Sequence, residues 1–70
     1  MNYEVMLIEK NYTGKIVRQK SVMKSAHKHR AISFFNQEVI RIAYYLKPNT
    51  QVLLVEHSGD ESKVIRTGNR

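Results

Sequence analysis

The middle of the chain, residues 25–46, reads SAHKHRAISFFNQEVIRIAYYL. Its apolar residues recur at spacings of three and four, the period of one face of an α-helix, and they are Ile32, Phe35, Val39, Ile42 and Leu46. Ser25 is a favourable N-cap residue, and Pro48 disfavours helical dihedral angles at Lys47. The sequence therefore predicts one long helix that begins after Ser25 and ends at about Leu46.

Segments of β-type composition flank this helix on both sides. Four of them are predicted as strands, at residues 3–10, 15–23, 51–57 and 62–67. Turn-forming residues at 11–14 and a polar loop at 58–61 separate the members of each pair, and residues 68–70 are expected to fray. The predicted order is ββαββ, in a single small domain over residues 1–70.

Two hairpins joined by one helix form a single antiparallel sheet most simply when the first and third strands are central. The resulting fold class is α+β, with a four-stranded antiparallel sheet in the order 2-1-3-4 and the long helix packed on one face. The composition agrees, because residues 5–8 and 52–55 are the most apolar stretches. A four-residue loop in the second hairpin predicts the cross-strand pairs Glu56 with Lys63, Val55 with Val64 and Leu54 with Ile65.

The two central strands are apolar on both faces, although one helix covers only one face of a sheet. The open face should carry either Val5 and Leu7 or Met6 and Ile8, together with two residues of 52–55. On the helix, Ile40 and Tyr44 point away from the core stripe. These two residues are candidates for contact with a partner protein.

The net charge of +6 is concentrated in one part of the chain, because residues 10–30 contain seven basic residues and no acidic ones. The predicted phosphate-contacting residues in this stretch are Lys15, Arg18, Lys20, Lys24, Lys28 and Arg30. Cations at a helix start oppose the helix dipole, whereas a bound phosphate would gain from them and from the free N–H groups there. Two other interpretations remain open: a solvated basic surface that aids solubility, and recognition of an acidic protein.

Other kinds of site have weak support in the sequence. The chain has no cysteine, which excludes disulfides and thiolate metal ligands. His27 and His29 point in different directions on a helix, so no metal site is predicted. His57 is expected at a strand end, facing solvent or capping the second loop. No nucleophile, base and orienting group can be assembled from motifs, and we predict neither enzymatic activity nor a cofactor.

The apolar runs are far shorter than the roughly 20 residues of a membrane-spanning helix. The first residues do not resemble a secretion signal, so the expected compartment is the cytoplasm and no membrane partner is predicted.

The first functional hypothesis is a small non-enzymatic module that binds DNA or RNA through an edge strand and the helix N-terminus. The alternative is a small inhibitor or regulatory protein that docks on a larger protein or ribonucleoprotein. In size and layout the predicted chain is similar to small basic regulators and inhibitors carried by phages and other mobile elements. A homodimer that covers the open sheet face is compatible with both hypotheses.

Overall fold

The computed structural model describes residues 1–44 and 49–69, with only the backbone described for Asn69. It has the predicted ββαββ architecture. The elements are β1 (Asn2–Lys10), β2 (Ile16–Ser25), α1 (Lys28–Tyr44), β3 (Thr50–Ser58) and β4 (Glu61–Asn69). All neighbouring strands are antiparallel and the order is β2-β1-β3-β4, which confirms the predicted topology. The helix end predicted at Leu46 lies outside the described residues.

The helix begins later than predicted because Ser25 remains in the sheet. Ser25 is the last residue of β2, opposite Tyr3. Its Oγ accepts a hydrogen bond of 3.0 Å from the backbone N–H of His27. The first helical bond runs from the N–H of Ala31 to the carbonyl of His27, at 3.2 Å. The N-cap position therefore belongs to His27, and the serine stabilises the turn before it.

The hydrophobic core lies between α1 and one face of the two central strands. Val5, Val52 and Leu54 have no exposed surface, and α1 packs Ala31, Phe35 and Ile42 against this layer. The spacing of these helical residues matches the predicted apolar stripe. The helix thus covers the face that carries Val5 and Leu7, leaving Met6 and Ile8 on the open face with Leu53 and Val55.

The open face is less apolar at its surface than the sequence predicts. Ile8 and Val55 are buried there without a second layer. Each lies on a central strand between two cross-strand neighbours, Gln19 and Gln51 for Ile8, and Glu4 and Val64 for Val55. Only Met6 and Leu53 stay half-buried. The side chains of adjacent strands therefore cover part of the predicted apolar surplus.

The second hairpin has a two-residue turn rather than a four-residue loop. Ser58 pairs with Glu61, and Gly59 has a φ of +61° at the first turn position, where type II′ hairpin turns favour glycine. The predicted pairs Glu56 with Lys63 and Val55 with Val64 are confirmed. The predicted pair of Leu54 with Ile65 is wrong, because a β-bulge makes Ile65 an extra residue and Leu54 lies opposite Arg66.

The expected fraying of residues 68 and 69 is also wrong. The strand β4 continues to Asn69, and Gly68 pairs with Val52 in a buried position. Phe35 and Val39 of α1 lie directly over this glycine. Packing of the helix therefore holds the end of the strand in the sheet.

No helix within residues 1–44 and 49–69 is long and apolar enough to cross a membrane.

Candidate functional site

Three of the seven basic residues in the stretch 10–30 lie on β2, an edge strand of the sheet, but the strand does not present them on one face. Val5 lies opposite Met23 and Met6 lies opposite Ser21, so Val22 is an extra residue at a β-bulge. Because side chains alternate between the two faces of a sheet, one extra residue moves every later side chain of the strand to the opposite face. Lys20 is opposite Leu7 on the helix side, whereas Lys24 is opposite Glu4 on the open side.

On the open side, Lys24 forms an ion pair with Glu4. Its Nζ lies 3.9 Å from Oε2 of Glu4, and the carboxylate is largely buried, with 12% of its side chain exposed. The positive charge of Lys24 therefore compensates the negative charge of the largely buried Glu4 carboxylate. The bulge in β2 separates it from the remaining basic residues of the predicted surface.

On the helix side, Lys20 lines a groove between α1 and β2, and Arg18 lies on the same face of β2. The register puts both residues on the helix face of β2, about 7 Å apart along the strand. The groove encloses about 390 Å³ between Lys20 and Val22 of β2 and Phe34, Glu38 and Arg41 of α1. We call it the α1–β2 groove.

A second hollow continues this groove toward the start of the helix. It measures about 400 Å³ and is lined by Met23 together with residues of the first turns of α1, including His29, Arg30, Ser33, Phe34 and Gln37. Phe34 lines both hollows, and its partly buried ring also packs against the core. The α1–β2 groove and this extension therefore form one continuous surface, with cations near its two ends and an aromatic ring between them.

A buried carboxylate lies inside the α1–β2 groove. Glu38 is 8% exposed, and its Oε1 accepts a hydrogen bond of 3.1 Å from Nη1 of Arg41, one turn further along the helix. The pair offsets the charge of the acid and holds the guanidinium at the groove. Arg41 itself is largely exposed, so it still presents N–H groups to a ligand.

The structure brings some of the six predicted phosphate-contacting residues together. Lys20 lines the α1–β2 groove, Arg30 lines its extension, and Arg18 lies on the same face of β2 as Lys20. Lys15 in the first turn and Lys28 at the start of α1 are exposed but line neither hollow. With Lys24 and Arg18, four of the six predicted residues thus line neither hollow.

Three groove residues were missed by sequence reasoning. Phe34, Glu38 and Arg41 lie next to the apolar stripe of α1, where the helical period alone makes them flanking residues. Glu38 and Arg41 are three residues apart, a spacing at which ion pairs form on a helix. This spacing was the one feature of the sequence that could have predicted their pairing. Their proximity to β2 depends on how the helix crosses the sheet.

At the other side of the sheet, a polar network links three strands, and it contradicts the solvent-facing or loop-capping role expected for His57. The imidazole Nε2 lies 2.8 Å from Oε1 of Glu4, and Nδ1 lies 2.7 Å from Oγ of Ser62. Hydrogen bonds from Ser21 and His57, aided by the charge of Lys24, lower the pKa of Glu4 despite the opposing effect of burial.

Serine, histidine and carboxylate are also the residue types of hydrolytic triads. A triad serine faces the substrate cleft, next to groups that stabilise an oxyanion. The cleft beside this network, about 530 Å³, is lined by Glu4, Lys24 and His57 and not by Ser62. The network joins β1, β3 and β4 through the side chains of Glu4, His57 and Ser62.

The two predicted partner-contacting residues lie on the outer side of α1. Ile40 is 66% exposed and Tyr44 is 78% exposed. They are four residues apart on the helix, which puts their side chains on neighbouring turns of one face.

No family model, curated protein or solved structure matches this chain.

Proposed function

We propose that this protein is a small non-enzymatic module that binds nucleic acid through a basic surface on the β2 side of the molecule. The phosphate-contacting residues are Arg18 and Lys20 of β2 and Lys28 and Arg30 of α1, with Arg41 as an addition from the structure. The observation that carries the proposal is the placement of Lys20 and Arg41 on the two sides of the α1–β2 groove, with Arg30 at its extension. Arg18 lies on the same face of β2 as Lys20.

Two features favour this proposal over a basic surface that serves solubility alone. The two carboxylates that lie beside the basic residues of β2 and α1 are already paired, Glu4 with His57 and Lys24, and Glu38 with Arg41. The cations at the rim of the groove surround an aromatic ring and apolar side chains, Phe34 and Val22. Solubility requires charge but not this combination, whereas nucleic acid offers phosphates and flat bases together.

Fluorescence anisotropy with labelled DNA and RNA tests the proposal directly. Five phosphate contacts predict a slope of log K against log salt between about −3.5 and −4.5, a loss of roughly 130- to 500-fold from 50 to 200 mM salt. Lys20→Gln should make this slope shallower by about 1. Lys63→Gln, the same charge change on the opposite edge strand, should leave it unchanged. Absence of binding to DNA and RNA at micromolar protein and about 50 mM salt would refute the proposal.

The exposed pair Ile40 and Tyr44 supports a second candidate function, docking on a larger protein or ribonucleoprotein. Purification of partners from the native host, with and without nuclease, separates the two functions. A single partner that survives nuclease, is lost with Tyr44→Ala and is retained with Lys28→Glu would favour docking. Loss of every partner after nuclease would exclude it.

A further inference from the structure

We propose that the α1–β2 groove and its extension bind one single strand of nucleic acid, with bases turned inward over Phe34 and phosphates outward at the basic rims. This inference rests on the proposed function and specifies its ligand. A duplex keeps the faces of its bases stacked inside and presents phosphates outward. A single strand exposes both phosphates and base faces, so it matches a groove that offers cations and an aromatic ring together.

The groove interior has the chemistry of a base site rather than a phosphate site. Val22 and Phe34 supply apolar and aromatic surface in the groove, and Met23 continues it into the extension. The carboxylate of Glu38 inside the groove repels phosphate, although its pairing with Arg41 reduces that effect. The same carboxylate can accept hydrogen bonds from base amino groups, which proteins use to read bases.

The rim has the complementary chemistry. Lys20 from β2 and Arg30 from α1 bring cations to the groove and to its extension. Both are exposed, so their charged groups remain available to phosphates in solvent. A nucleic-acid strand with its bases inward and its phosphates outward therefore matches both the groove interior and the basic rim. This match defines the orientation of the nucleic acid in the groove.

The length of the surface limits the site to a few nucleotides. Arg30 and Arg41 are about 17 Å apart along the helix axis, from their separation in sequence and a rise of about 1.5 Å per residue. At about 3.4 Å per stacked nucleotide this distance holds no more than about five nucleotides.

Anisotropy titrations with strands of roughly 12 nucleotides test the ligand class. The probes are a mixed-sequence single strand, as DNA and as RNA, the matching duplex, and a glutamate-rich peptide as competitor. We expect a single strand to bind at least about tenfold more tightly than the duplex and the peptide to compete poorly. Duplex binding of equal or greater strength would overturn the inference and leave the proposed function standing, whereas absence of all nucleic-acid binding would refute both. Effective competition by the peptide would identify the groove as a protein site and overturn the inference.

Substitution of the aromatic ring tests the base contact. Phe34→Leu keeps an apolar side chain against the core and removes the stacking surface, so single-strand affinity should fall roughly fivefold or more. Tyr12→Leu removes an aromatic ring that is 94% exposed at the first turn, outside the groove, and should have no effect. Equal effects of the two substitutions, or no effect of Phe34→Leu in a folded variant, would overturn the inference.

Photocrosslinking of the unmodified protein provides a test that does not depend on the folding of a variant. A single strand that carries 4-thiouridine should form adducts that map to the peptide around Phe34 or to that around Val22. Adducts that map only to the open face, such as the segment around Leu53, would overturn the inference.

Discussion

Gly68 lies opposite Val52 in the sheet, directly beneath Phe35 and Val39 of α1. A Cβ atom at this position would collide with the side chain of Val39, so the helix packs this closely only because residue 68 is glycine. We expect Gly68→Ala to lower the free energy of unfolding by about 1–3 kcal/mol, measured by urea denaturation. The neighbouring Thr67→Ala, at an exposed position, should change it by less than about 0.5 kcal/mol. Equal stability of the two variants would contradict the close packing.

Glu4 makes stability depend on pH in a defined direction. Its carboxylate is stabilised by Ser21, His57 and Lys24, so its pKa in the folded protein lies below its ordinary value of 4.5. The stabilisation is complete above pH 4.5 and is lost as the pH falls through the folded pKa.

Removal of this carboxylate should weaken the acid response. Glu4→Gln is expected to cost about 1–3 kcal/mol near neutral pH, because it removes charge-assisted hydrogen bonds, and to show a smaller further loss below pH 4.5 than the parent protein. Thermal melts across this range measure both effects. Glu61→Gln, at an exposed position, is the matched control and should retain the parental pH profile. A parental acid response in Glu4→Gln would show that other groups dominate it.

At the scale of secondary-structure elements, the composition and periodicity of the sequence predict the type and order of the helix and strands. They do not predict the strand register where a β-bulge adds one residue to a strand. The apolar stripe of α1 and the four β-type segments establish the ββαββ order, because each signal is repeated over many residues. The irregularities at Val17, Val22 and Ile65 have no such signal. Each inverts the faces of the residues beyond it. Lys24 was expected at the helix start, after a strand that ends at residue 23, whereas β2 continues to Ser25 and places Lys24 opposite Glu4.

The bulge in β2 leads to a prediction about two lysines of the same strand. Lys20 lines the α1–β2 groove, whereas Lys24 lies on the other face with Glu4. Lys20→Gln should therefore weaken nucleic-acid binding and lower its salt dependence, while Lys24→Gln should affect binding little. Anisotropy at a series of salt concentrations measures both. A strand that presented all its cations on one face would give equal effects, and that outcome would contradict the assigned register.

For the whole molecule, the predictable part of the candidate site is its charge and the unpredictable part is its shape. The excess of basic residues from 10 to 30 and the edge position of the second strand follow from the sequence. The groove depends on where Phe34 and Arg41 meet β2, and this is determined by the packing of α1 over Val5 and Leu54. Three-dimensional packing thus selects which of the cations face a common ligand.

The open sheet face is the surface predicted from the sequence for contact with a second copy of the chain. Ile8 and Val55 are already buried by their neighbours, which leaves Met6, Leu53 and Val64 as its main apolar surface. A stable interface needs about 800 Å² from each partner, far more than three side chains of a partly covered face supply. We therefore expect the protein to sediment with its single-chain mass of 8.2 kDa up to high micromolar concentration. A dimer mass that returns to the monomer value with Leu53→Asp would contradict this expectation and assign the open face to a second copy. A dimer unaffected by this substitution would move the interface to another surface, for which the exposed pair Ile40 and Tyr44 is the next candidate.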